Sequence, residues 1–235
     1  VGHWNKDTDI DEYNRRFFTE FVEVVLTALT ERTFSYQGEF WKFPNDNLNP
    51  HIQTVYSDYG AGVDPDMTIH EIGIAPRPLQ HPHPPLYGGF TMSMKTALFW
   101  AKYGGTPIVL SDKLDFCEAL WNTYREEASR HHIEKPVGHE AAWGGIAVCA
   151  PTDIDAQKQF QDMEWFWEKW GTQFGQGMPL KLVGSPDTIS RQIEEAHQKL
   201  GFDEVFFLIP QGIHSSDQII ESLDLITEHV MPRFS

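Results

Sequence analysis

The sequence predicts an α/β protein built on a parallel sheet covered by helices. Two observations predict it. Short apolar runs alternate with amphipathic helical stretches from Leu86 to the end of the chain. Several of those stretches also carry their own start or stop signals, such as Gly104-Gly105 and Ser185-Pro186.

Each element follows from local chemistry. Residues 9–31 read as a helix: Asp9 and Glu12 have the spacing of a capping box, and Tyr13, Phe17, Phe21, Val24, Val25 and Ala28 recur on one face. Phe34, Tyr36, Phe40 and Trp41 surround Gly38 in a hairpin-like pattern. The stretch 45–73 is polar and without period. Five prolines between residues 75 and 85 then exclude helix and interior strand. Leu86–Phe90 reads as a buried strand and 91–95 as a turn. Residues 94–103 read as a helix with Ala97, Leu98 and Ala101 inward, stopped by Gly104 and Gly105. Pro107–Leu110 is a short apolar strand, 112–132 a helix with Leu114, Ala119, Leu120 and Tyr124 as its apolar marks, and Ala141–Ala150 a glycine-containing strand. Residues 153–178 form a partly helical insertion rich in Trp and Phe. Ser185 as N-cap and Pro186 at the first helical position open a helix over 186–200. Glu204–Ile209 is a strand and 215–231 the last helix.

Four strands are too few for a closed eight-stranded barrel. The expectation is therefore a small open α/β domain or the C-terminal part of a larger barrel. The opening on a helix with no strand before it favours the second. One domain is expected over 1–235, with insertions at about 34–83 and 153–183.

Composition narrows the function classes. A formal net charge of -16 argues against nucleic acid or an anionic membrane surface as partner. No apolar run reaches the roughly 18 residues of a membrane helix, and the polar first 20 residues show no signal peptide. Cys117 and Cys149 have no metal-type spacing. A cytoplasmic protein that acts on a small molecule is the expectation.

The candidate ligand site is the turn into the helix at 94–103. Free backbone N–H groups at a helix start favour an anion, and Ser93 and Thr96 add hydroxyls three residues apart. Ser93 is equally a plain N-cap. Gly88 and Gly89 before it allow either a bulge or the close approach of a flat ligand. His81 and His83 in the proline run, and His131-His132 at a helix end, read as structural.

Three pieces, in order, resemble the bacterial luciferase-like, flavin-dependent monooxygenases. They are Phe34-Ser-Tyr-Gln-Gly-Glu-Phe-Trp41, Arg77-Pro-Leu-Gln-His-Pro-His-Pro-Pro-Leu86 leading to Ser93-x-x-Thr96, and Val183-Gly-Ser-Pro186 with Val230-Met-Pro-Arg-Phe234. The resemblance implies a TIM-type barrel, here without its N-terminal strands, with Leu86–Phe90 as the fifth strand and Glu204–Ile209 as the eighth. It also implies reduced FMN, or less commonly a deazaflavin of the F420 type, with molecular oxygen and a small organic substrate. A separate flavin reductase and a homodimer are implied as partners. Carried over residue by residue, Ser93 and Thr96 would hold the FMN phosphate, Met94 would offer a backbone N–H, and Met92 would lie near the flavin ring. No residue here matches the family's catalytic base. Val1 stands where the family commonly has an Arg for the phosphate. The aromatic insertion resembles the family's mobile active-site loop, and its rings serve either as lid or as core. Oxygen chemistry at a reduced flavin needs water excluded, which an aromatic lid with few charges suits.

Overall fold

Apolar residues at helical spacing, with Val22 and Val24 buried, form α1 (Thr8–Thr30). After it, β1 (Tyr36–Gln37) and β2 (Lys42–Phe43) pair antiparallel, with Tyr36 opposite Phe43. The buried carboxylate of Glu20 on α1 holds this hairpin. It accepts the backbone N–H groups of Glu39 at 2.9 Å, Phe40 at 3.0 Å and Trp41 at 2.8 Å. A Cβ at Gly38 would stand 2.1 Å from the same carboxylate, which is why the turn carries glycine there. Phe17 packs against Phe40 and Trp41.

The computed structural model describes residues 8–46, 62–64, 68–89, 93–135, 138–171, 173, 178–209 and 212–234. Its contacts group into two units, Val1–Pro84 and Pro85–Ser235. Most of the aperiodic stretch 45–73 and the side chain of Asp9, the expected helix cap, lie outside the described residues.

The second unit carries the sheet. Its elements are β3 (Tyr87–Gly88), α2 (Met94–Tyr103), β4 (Thr106–Val109), α3 (Leu114–Arg130), β5 (Ala142–Cys149), α4 (Asp153–Phe166), β6 (Lys181–Gly184), α5 (Pro186–Leu200), β7 (Glu204–Leu208) and α6 (Ser216–Leu225). A π-helical turn, Trp167–Gly171, extends α4. Another, Ile226–Val230, extends α6. All the strand pairs of this sheet are parallel. Ala142 and Trp143 pair with both β4 and β7, so those two strands occupy opposite edges of β5. Ile146 pairs with both Lys181 and Leu208, which places β6 on the β4 side, beyond the end of β4. The lateral order is thus β3, β4, β5, β7. Among the described residues no strand covers the outer edge of β3 or β7.

Alternation assigns the two faces. Val109, Trp143, Ala147 and Cys149 join Leu120, Trp121, Ile189, Ile193 and Ile226 of the helices in the main core. On the other face, Ile108, Leu110 and Ala142 cluster, and Ile146 and Val148 pack with Phe160 and Met163 of α4.

Most expected elements are present, with four differences. Leu86–Phe90 gives a strand of only two described residues, and Tyr87 is 41% exposed rather than buried, because its hydroxyl serves a polar group described below. Leu98 is 39% exposed, because the inward stripe of α2 runs through Ala97 and Ala101. Ala119 likewise faces out, the buried stripe of α3 being Cys117, Leu120, Trp121, Tyr124 and Ala128. Lys181–Gly184 is a strand that the sequence reading placed inside an insertion. It is short, and its exposed Lys181 and half-buried Val183 break the apolar run.

Candidate functional site

The start of α2 is built by a serine cap. Ser93 is extended (φ -147°, ψ 152°), and its Oγ accepts the N–H of Thr96 at 3.2 Å and lies 3.0 Å from Thr96 Oγ1. The structure therefore brings Ser93 and Thr96 together, with Met94 as the first helical residue between them. The N–H groups of Met94 and Lys95 have no acceptor within the helix. Met92 lies outside the described residues. Lys95, exposed in the same first turn, is a cation that the sequence reading passed over.

Its charge sets this helix start apart. The other helices that follow strands all carry aspartate in the first turn: Asp115 in α3, Asp153 and Asp155 in α4, Asp187 in α5 and Asp217 in α6. The first turn of α2 carries none. At α5 the carboxylate of Asp153 accepts the Ser185 N–H at 2.7 Å and the Thr188 hydroxyl at 3.0 Å, so an internal anion already fills that site. Those bonds hold the Asp153 carboxyl below its ordinary range, the Ser185 backbone contributing most. An anion at α2 would have to come from outside.

Gly88 has a different reason from either expected one. A Cβ there would lie 2.3 Å from the Trp100 ring, and a Cβ at Gly105 would lie 2.4 Å from the same ring. The flat group that approaches Gly88 is a side chain of α2. Gly89 has no neighbouring atom within 4 Å of a Cβ position.

A cavity of about 1040 Å³ opens beside the end of β7. Ile146, Phe206 and Leu208 form its sheet side, Met163, Trp165 and Trp167 its α4 side, and Ile213 closes it. Among the described residues Asp162 is the one ionisable residue of the lining. Ser93, Met94 and Thr96 do not line it. The start of α2 and the cavity instead follow the C-terminal ends of β3 and β7, the end of a parallel sheet where ligands bind. The aromatic insertion is thus divided: Phe160 and Met163 are core, while Trp165, Phe166 and Trp170 stay exposed. Phe206 and Ile213 were missed as lining, although the alternation of β7 would have put Phe206 on the face of Glu204 and Leu208.

The opposite end of that face is polar. Glu204 Oε1 accepts the Tyr87 hydroxyl at 3.0 Å and lies 2.5 Å from His139 Nδ1. The Thr106 hydroxyl donates to the His139 carbonyl at 2.5 Å, and Lys135 donates to Thr106. Burial pushes the Lys135 ammonium down to about 8. Cys117 and Cys149 are buried, with thiols pushed up to about 11, so neither is a reactive thiolate at neutral pH. Among the described residues no group of His, Cys, Asp and Glu could hold a metal, and no helix is long and apolar enough to cross a membrane.

No family model matches the chain, and no curated protein matches it in sequence. Solved structures match it in fold. Monooxygenase RslO1 from Streptomyces bottropensis superposes with a TM-score of 0.69 at 18% identity, over 96% of this chain and 63% of that one. The chain has the α/β fold of the corresponding part of that TIM-type barrel. The oxygenating constituent of 3,6-diketocamphane monooxygenase from Pseudomonas putida, a type II Baeyer-Villiger monooxygenase in complex with FMN, matches with a TM-score of 0.63 at 16% identity, over 96% and 64% of the two chains. The coenzyme F420-dependent tetrahydromethanopterin reductase from Methanopyrus kandleri matches at 0.56 and 17%, over 93% and 63%. The chain therefore spans a little under two thirds of each of these proteins. This is the fold that the luciferase-like resemblance implied.

Proposed function

We propose that the chain belongs to a flavin-dependent monooxygenase that binds FMN by its phosphate at the start of α2 and oxidises a small organic substrate with molecular oxygen. The observation that carries this reading is the first turn of α2. It offers two hydroxyls, Ser93 and Thr96, the free N–H groups of Met94 and Lys95, and no carboxylate, whereas the other strand-following helices are acidic there. The shared fold supports it.

Bound FMN would supply the redox chemistry. The chain's own residues would bind it and exclude water: Ser93 Oγ and Thr96 Oγ1 would donate to the phosphate, Lys95 would offset its charge, and the rings of Trp165, Trp167 and Phe206 keep the cavity beside β7 apolar. An F420-type deazaflavin also presents a phosphate and is the alternative cofactor. Reduced flavin would come from a separate reductase, and the working form would be a homodimer.

Titration of the chain with FMN, followed by flavin fluorescence, tests the reading. Saturable binding is expected, with Ser93→Ala and Thr96→Ala each about tenfold weaker, equivalent to ~1.4 kcal/mol. Riboflavin, which lacks the phosphate, should not distinguish the variants. No saturable binding of either FMN or F420 would sink the proposal. Oxygen uptake with reduced FMN then tests the activity.

A further inference from the structure

We infer that the cavity beside β7 is a chamber for an uncharged ring compound and rejects anions. The inference deepens the proposed function by naming its substrate class, and it rests on that reading. Two facing walls carry the argument. On one side Phe206, Leu208 and Ile146 stand on a single face of the sheet. On the other, Met163, Trp165 and Trp167 come from the end of α4 and its π-helical turn.

These walls are fixed to each other on both sides. His214 Nε2 lies 2.9 Å from the Gln159 carbonyl, which ties the turn beyond β7 to α4. Lys181 pairs with Glu164 at 2.5 Å and lies 5.2 Å over the Phe160 ring, which ties α4 to β6. Helix α4 is therefore anchored through Gln159, Phe160 and Glu164, while the rings just beyond remain open: Trp165 is 57% and Phe166 40% exposed. Exposed rings around a concave space of about 1040 Å³ are costly in water and gain by covering a flat apolar guest. The space matches a small-molecule cleft rather than a flat protein interface.

Charge decides the rest. Among the described residues Asp162 is the one ionisable group in the lining, and none of them there is a cation to receive a sulfonate, carboxylate or phosphate. The protein's net charge of -16 adds to the bias against anions. The substrate class is therefore a neutral aromatic or alicyclic compound, and Asp162 sets the discrimination.

Calorimetric titration of the full chain with 2-naphthol and with naphthalene-2-sulfonate tests this, because the two probes share a ring and differ in charge. Naphthol should bind at least tenfold more tightly. Phe206→Asp should weaken it at least tenfold, and Asp162→Lys, an exposed position, should improve sulfonate binding at least tenfold. Equal affinities for the two probes, no binding of naphthol, or an Asp162→Lys protein with unchanged preference would each overturn the inference. So would sedimentation showing a dimer that buries Trp165 and releases naphthol on assembly. FMN titration of the same samples separates the two proposals. Naphthol preference without FMN binding removes the flavin reading, and FMN binding without naphthol preference removes the chamber alone.

Discussion

Tyr87 and Glu204 lie on β3 and β7 of the five-stranded sheet, at the two ends of the lateral order β3, β4, β5, β7, yet their side chains hydrogen-bond at 3.0 Å. Three strand spacings would separate flat neighbours by roughly 14 Å, so the sheet is bowed and both side chains project from its concave face. The bond is a strut across that bow. Tyr87→Phe should cost about 1 kcal/mol in urea denaturation. Glu204→Gln, which keeps an acceptor, should cost less than Glu204→Ala. Tyr87→Phe with wild-type stability would show that the strut holds nothing.

The same polar end predicts a pH dependence of unusual sign. Lys135 lies 5.5 Å over the Tyr124 ring, and burial lowers its pKa from 10.5 to about 8 against the opposing pull of Glu204, Glu140 and Asp203. Between those values the unfolded chain binds more protons than the folded one, so stability should rise from about pH 8 to about 10.5. Lys135→Met should remove the rise and add roughly 1 kcal/mol at pH 7, a figure discounted for the side chain's partial exposure. Thermal melts across this range check it.

Ser93 has two separable tasks. As N-cap it contributes about 1 kcal/mol that alanine loses, while glycine in its place costs only a few tenths. Ser93→Gly should therefore keep near-native stability and still lose FMN affinity. If Ser93→Gly binds FMN like wild type, the hydroxyl only caps the helix.

Gly88 and Gly105 both lie against the Trp100 ring, one by its five-membered part and one by its six-membered part. Gly88→Ala should cost roughly 1–3 kcal/mol by overpacking. Combined with Trp100→Leu it should cost less than the sum of the two single changes, because the variants share one contact. Additive costs would mean that the ring is not what excludes a side chain at 88.

Local signals were the legible ones. Gly104, in the left-handed region at φ 69°, ends α2 as its sequence announces, and Ser185-Pro186 opens α5 in the same way. Ser93 and Thr96 were found because a cap and its partner sit three residues apart. What the sequence hid depends on residues far away. Tyr87 looked like part of a buried strand because Glu204 lies 117 positions on. Gly88 looked open to a ligand because Trp100 comes back to it only once α2 is folded. Lys181–Gly184 did not read as a strand because its pairing partner, β5, lies in a distant stretch of the chain. The cavity was invisible for the same reason, since its rings come from separate elements and only the packing of α4 gathers them.

Asp153 begins one helix and closes the start of another. The fraying of α4 at its first turn withdraws the carboxylate from Ser185 and Thr188, so the N-cap residue of α5 and the first turn behind it lose an acceptor in the same event. Amide hydrogens at both helix starts should then exchange at one shared rate, as members of a single opening unit. A disturbance at the base of the aromatic wall would be felt 32 residues on, with no side chain of the cavity taking part.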